Sequence, residues 1–392
     1  MDLVELTPER LEAFKTALQV SLEECADEDA VYGLQCDSSR VVDTITGGVK
    51  NPEKRIFRLA SLTKPITGVA AMMLMEDGVF APSEPIDRFL PELANPHVLT
   101  RSNGALDATE PAHRAISIHD LLTCQMGIGL QFETPASPIA EAMKSAHVNV
   151  GATHPRQMDS DGWISALGQL PLICQPGTTW LYDTSIDALG VLLERASGMS
   201  LGSLFAERIF GPLGMEDTGF WVPEMKLNRL GPCVGRTAGN KLNIIDRAGA
   251  ASRFANPPAF ESAAEGLVST AADYLTFATM MLNRGRLGAS RLISEDAYTL
   301  MTRDHISPQQ KTVSSFWPGF WESHGWGYCV AVQHGLRPDD PKGIGWIGGY
   351  GTACTWNQEN GLISLLMSQQ RFDEATFSLL TNFWRAARRL TD

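Results

Sequence analysis

The stretch FRLASLTKPITGVAAMMLMEDG, residues 57–78, carries a serine and a lysine three positions apart at the head of an apolar run. From Ile66 to Met75 the run is apolar on nearly every side and it stops at Gly78, the pattern of a helix buried in the protein interior. Pro65 has no N–H and is tolerated only in a first turn, so Ser61 falls at or just before the helix start. A spacing of three puts Ser61 and Lys64 on one helix face, within reach of each other. A serine hydroxyl attacks well only when a base takes its proton, and a lysine desolvated beside it can fall in pKa and do so. The helix start also aims the positive end of its dipole at developing oxygen charge. The pattern alone is weak, because 27 serines and 9 lysines in 392 residues make a chance match of order one. The competing reading has Ser61 capping the helix and Lys64 reaching for solvent.

A second serine competes for the same role. SGMSLG, residues 197–202, holds Gly-x-Ser-x-Gly around Ser200, but a nucleophile elbow needs a strand before its serine and a helix after it. Helical DALGVLLERAS precedes Ser200, Gly198 reads as a helix C-cap, and Ser200 reads as the N-cap of LGSLFAERIF.

Around these motifs, residues 7–24 show Leu11, Phe14 and Leu18 at helical spacing, and AVYGLQC and RVVDTITGG read as short strands. The centre, about 81–266, is rich in helical segments such as IHDLLTC and DGWISALGQL. Three strand-like runs follow a later helix, HGWGYCVAV, GIGWIGGYGTACTWN and GLISLLMS, and the terminal helix FSLLTNFWRAARRL closes the chain. The two ends are therefore expected to build one α/β domain together. GIGWIGG matches Gly-x-Gly-x-x-Gly, yet strand-like residues follow where a dinucleotide site needs a helix.

A net charge of −13 argues against phosphate backbones and anionic lipid as partners. The acidic start MDLVELTPERLEAF lacks the basic and apolar regions of a signal peptide. The expectation is a cytoplasmic chain with no nucleic-acid and no membrane partner. Seven scattered cysteines, never Cys-x-x-Cys, suggest buried thiols rather than a disulfide framework or a metal site.

Residues 57–78 resemble the nucleophile region of the serine β-lactamase-like superfamily, above all class C β-lactamases and family VIII carboxylesterases. Matching runs follow in the family's order: ISIHDLLTCQMGI, the long stretch QPGTTWLYDTSIDALGVLLERASGMSLGSLFAERIFGPLGMEDTGF, EGLVSTAADYLTFATMMLNRG, HGWGYCVAV and IGWIGGYG. The resemblance implies an α+β, β-lactamase/transpeptidase-like fold. In it, residues 1–80 and 267–392 form an antiparallel sheet flanked by helices, and 81–266 form an inserted, mainly helical domain. It implies Ser61 as nucleophile, Lys64 as its activating partner and Tyr182 as general base and acid, the Lys64 ammonium favouring a phenolate by charge. It also implies an oxyanion hole of the Ser61 and Gly349 N–H groups.

Two family motifs are altered. Lys-Thr-Gly corresponds to Trp346-Ile347-Gly348, and Tyr-x-Asn to Tyr182-Asp183-Thr184; Cys124 stands where relatives commonly carry histidine. Trp346, Gly348 and Asp183 are expected at the substrate pocket, where an indole suits an uncharged ester better than the carboxylate of a β-lactam. The loop aromatics Trp317, Phe320, Trp321 and Trp326 either line an acyl pocket or seal the core. The implied activity is that of a carboxylesterase cleaving small-molecule esters through an acyl-enzyme on Ser61, with no metal or organic cofactor. β-Lactamase, D-amino-acid peptidase or amidase, acyltransferase, and a non-catalytic binding module on the same fold are the alternatives.

Overall fold

The computed structural model describes residues 6–24, 30–36, 39–45, 50–132, 134–148, 158–237, 239–335 and 342–391. Its centre is a seven-stranded antiparallel sheet in the order His324–Trp326, Ala331–Gln333, Gly343–Gly348, Thr352–Asn357, Leu362–Met367, Val31–Cys36, Ser39–Thr44. Both ends of the chain thus enter one sheet, with Val31 opposite Met367 and Cys36 opposite Leu362. All six residues of Leu362–Met367 are buried, as expected of a strand covered on both faces.

The strand side chains divide between two cores. Leu362 and Leu366 join Tyr32 and Leu34 under the helices Pro8–Glu24 and Glu374–Arg388, where the Phe14 ring meets Tyr32 at 5.1 Å and Phe383 at 5.6 Å. Ile363, Leu365 and Met367 point the other way, into the large core that holds the helices Ala271–Leu282 and Thr63–Glu76. Gly33 lets Ala271–Leu282 approach the sheet, since a Cβ there would lie 2.7 Å from Leu275 Cδ1.

The sequence suggests three strands after residue 320, and the described residues there hold five. HGWGYCVAV folds back on itself at Cys329, which takes φ 61°, and GIGWIGGYGTACTWN does so at Gly351, with φ 72°. Each run is a hairpin whose turn is written in aromatic and glycine residues that read as strand.

Between the two ends lie the helices Ile118–Leu122, Pro138–Ser145, Ser160–Gly168 and Thr184–Ser197, then Leu201–Phe205 continued by a π-turn over Ala206–Phe210. Thr184–Ser197 packs on both Ile118–Leu122 and Thr63–Glu76, which brings the central segment onto the helix that follows Ser61. No helix among the described residues is long and apolar enough to cross a membrane. Cys25 lies outside the described residues; none of the other six cysteines is joined in a disulfide among the described residues.

Candidate active site

The short strand Ile56–Arg58 pairs with Val268–Thr270 and delivers the chain to Ser61. Arg58 anchors it. Its guanidinium is wholly buried, with Nε 2.6 Å from Asp246 Oδ2 and Nη1 donating to Gln369 Oε1 and the Gly231 carbonyl at 2.8 and 3.0 Å. Ala60 then takes a left-handed φ of 45°, and Ser61 sits in a single 3-10 turn leading into the helix Thr63–Glu76. The turn is fixed from outside by Tyr274, whose hydroxyl donates to the Leu62 carbonyl at 2.8 Å, and by Thr63, whose hydroxyl donates to Ala60 O at 2.7 Å.

Lys64 follows three residues on, as the spacing requires, with no solvent exposure. Its Nζ has three acceptors: Ser61 Oγ at 2.9 Å, Asp183 Oδ1 at 2.7 Å and the Ala264 carbonyl at 2.9 Å. An ammonium has three protons to give, so this set suits the charged form. Burial is the strongest influence and opposes that charge, but Asp183, the Tyr182 oxygen and Glu265 together outweigh it and hold Lys64 above the ordinary lysine value. Lys64 therefore does not fall in pKa as its burial alone suggests; the Asp183 carboxylate reverses the direction.

Tyr182 arrives from the central segment. Leu181 N–H bonds to the Cys124 carbonyl at 2.8 Å and the Tyr182 carbonyl accepts from Leu130 N–H at 3.0 Å, which pins the backbone on both sides. The phenol oxygen accepts the Trp346 indole N–H at 2.6 Å, Lys64 Nζ lies 4.5 Å from the ring centroid, and the Ser61 hydroxyl is near enough to help lower the phenol's pKa. Burial raises the phenol's pKa; the Lys64 charge and the bonds from Ser61 and Trp346 pull it down without cancelling the rise, and Asp183 adds to it. Ser61 and Tyr182 each keep 8% exposure while Lys64 keeps none, so the serine and the tyrosine retain contact with solvent and the lysine does not.

Ser61, Lys64 and Tyr182 converge although 121 positions separate the first from the last. The chain belongs to the beta-lactamase family. The family model matches residues 30–387. Protein Rv1367c of Mycobacterium tuberculosis is 36% identical over 332 residues, covering 83% of this chain and 80% of its own. Esterase EstB of Burkholderia gladioli is 28% identical over 345 residues, covering 82% and 79%. Among solved structures, EstCE1, a hydrolase with promiscuous acyltransferase activity, superposes with a TM-score of 0.77 at 20% identity, covering 96% of this chain and 98% of its own. The fold is accordingly the β-lactamase/transpeptidase-like one, and at family level the chain stands among serine hydrolases.

Measured against that family's pattern, the altered positions do different things. Trp346 is buried against Tyr182, with ring centroids 5.7 Å apart. Asp183, expected at the substrate pocket, instead turns its carboxylate onto Lys64 and is 4% exposed. Gly348 has a packing role: a Cβ there would stand 2.1 Å from the Leu59 carbonyl, so only glycine lets the strand end close on the segment that leads into Ser61. Thr352 Oγ1 donates to that carbonyl at 2.8 Å, and Gly349 comes to rest beside Ala60. Thr184 is buried, and its hydroxyl has no hydrogen-bond partner among the described residues. Cys124 is buried behind Lys64 and Asp183, and burial pushes its thiol up to about 12.

The aromatics of the loop differ in depth. Phe320 and Trp326 are core residues, whereas Trp317 and Trp321 are partly buried. Phe316, which the sequence reading passed over, links Tyr182 at 5.2 Å to the exposed Phe132 at 4.8 Å, so an apolar wall leads from the tyrosine outward. Ser200 is a helix cap, its Oγ accepting from Ser203 N–H at 3.2 Å. His119 bonds through Nδ1 to the Tyr328 hydroxyl at 3.0 Å.

Proposed function

We propose that this protein is a serine carboxylesterase: Ser61 attacks the carbonyl of a small, uncharged ester, retains the acyl group and releases it to water. The observation that carries the reading is Lys64 Nζ at 2.9 Å from Ser61 Oγ and 4.5 Å from the Tyr182 ring centroid, which gathers the three side chains at one point. In this reading Tyr182 moves the protons and Lys64 remains a cation that steadies charge on the serine oxygen. The N–H groups of Ser61 and Gly349 receive the substrate carbonyl oxygen as it becomes an oxyanion.

Trp346 supports an uncharged substrate. An indole presents apolar area and a single N–H, and that N–H is already committed to Tyr182, which leaves nothing cationic at this position to bind a carboxylate. The name of the relative EstB points the same way. The expected outcome is turnover of p-nitrophenyl butyrate well above that of nitrocefin, with a fluorophosphonate probe attached to Ser61. Ser61→Ala abolishes labelling and turnover, and Ser200→Ala leaves both intact. A Ser61→Ala protein that still hydrolyses the ester overturns the assignment.

Transfer of the same acyl group to an alcohol is the second reading. The apolar wall from Tyr182 to Phe132 favours an organic acceptor over water, and EstCE1 is described as combining both activities. Adding a primary alcohol to the butyrate assay distinguishes them, since transfer yields a new ester at the expense of free acid.

A further inference from the structure

Asp183 directly precedes the helix Thr184–Ser197, where an aspartate ordinarily turns its carboxylate onto the free N–H groups of the first turn. It makes no such cap. Its backbone adopts φ 82° and ψ −68°, and Thr184 N–H bonds back to the Tyr182 carbonyl at 3.2 Å. This is a γ-turn of the rare, strained hand. Both departures serve one contact, the carboxylate 2.7 Å from Lys64 Nζ on the residue next to Tyr182. We propose that Asp183 is a positioning residue that keeps both protons on the Lys64–Tyr182 pair, fitting the site to esters of alkyl alcohols, whose departing alkoxides need a proton. The proposal rests on the esterase reading.

The pair is faced by Ser61, Asp183, Trp346 N–H and the Ala264 carbonyl. Glu265 and the thiols of Cys124 and Cys329 complete the titratable surroundings; both thiols are pushed up by burial and stay neutral. Two groups this close titrate as a unit, and an anion in contact delays loss of the first proton. With both protons held, acylation balances without outside help. Ser61 Oγ bonds to the carbonyl carbon, its proton passes to the Tyr182 oxygen, and the phenol's own proton passes to the alkoxide as the carbon–oxygen bond breaks. In deacylation water bonds to the acyl carbon and gives a proton to Tyr182, while the phenol proton returns to Ser61 Oγ as its ester bond breaks. Lys64 stays an ammonium throughout. A p-nitrophenolate is too weak a base to take the phenol proton, so for that ester the serine proton must lodge on a pair already one proton short.

The test compares ethyl butyrate with p-nitrophenyl butyrate across pH in the wild type, Asp183→Asn and Asp183→Glu. In the wild type, kcat/KM for the ethyl ester is nearly level while that for the p-nitrophenyl ester climbs with pH. Asp183→Asn keeps an oxygen for Lys64 but not the charge. It should move the climbing limb down by about one pH unit or more and cut the ethyl to p-nitrophenyl ratio at least about tenfold; Asp183→Glu restores both in part. Equal loss on both esters with an unmoved limb makes Asp183 a structural support and overturns the proposal. Potentiometric difference titration of Asp183→Asn against the wild type needs no turnover and should show one proton released at lower pH. Absence of that release also overturns the proposal, whereas its presence in a protein that hydrolyses neither ester sustains the proton-holding role of Asp183 and removes the esterase reading instead.

Discussion

Trp346 illustrates what a single residue conveys in sequence and what it withholds. Its apolar area at the family's lysine position is legible, and so is the loss of a cation there. That its N–H ends on Tyr182 at 2.6 Å is not legible, because the partner lies 164 positions earlier and no local pattern pairs them. Trp346→Phe keeps most of the ring and deletes the donor, leaving the phenol oxygen short of one buried hydrogen bond, a loss of about 1–3 kcal/mol. Since that bond steadies the phenol as it exchanges protons, kcat for an ester should fall roughly 10–100-fold while KM hardly moves. Steady-state kinetics on a variant with an unchanged circular dichroism spectrum checks this. A rise in KM at constant kcat would make Trp346 a wall residue only. Asp183 shows the same limit from the other side: its charge is visible in YDT, but its direction depends on a γ-turn that no residue preference announces.

Among the elements, helices were the easiest to read because their apolar periodicity is local. The nucleophile helix begins within two residues of Ser61 and ends at Glu76, close to the Gly78 stop. Strands after residue 320 were under-counted because Cys329 and Gly351 turn within apolar, aromatic runs. LGSLFAERIF reads as one helix but widens to a π-turn over Ala206–Phe210, next to Pro212, which supplies no N–H to the ladder. Where two elements meet, Gly348 and Arg58 both hold the segment that leads into Ser61, the first at the Leu59 carbonyl and the second through its buried guanidinium. Arg58→Ala leaves Asp246 buried without its cation and opens the contacts to Gln369 and Gly231, so it should cost about 3–5 kcal/mol. Urea unfolding measures this directly. Because the same guanidinium fixes the strand that delivers Ser61, activity in the fraction still folded should fall as well; full activity in that fraction would mean the brace serves stability alone.

At the scale of the molecule, the two chain ends meet in one sheet, and that pairing is the least local fact of the fold. Short apolar runs mark 31–36 and 362–367 as strands, and the helical centre between them suggests that the two ends share a domain, without saying which strands are neighbours. The consequence is mechanical. The helix Pro8–Glu24 covers the sheet face opposite the nucleophile helix, and Phe14 is its deepest ring, set between Tyr32 and Phe383. Phe14→Ala removes a fully packed aromatic and should destabilise by about 3–5 kcal/mol. The strand Val31–Cys36 lies between Leu362–Met367 and Ser39–Thr44 and against the helix Ala271–Leu282, so loosening it loosens the floor beneath the catalytic cluster. Esterase activity and the fluorescence of the tryptophans around Tyr182 should therefore be lost in one urea transition, displaced together to lower urea in the variant. If the terminal layer instead melts first while activity persists, the site stands on the central segment alone, and the sheet's contribution from the N-terminus is to stability and not to catalysis.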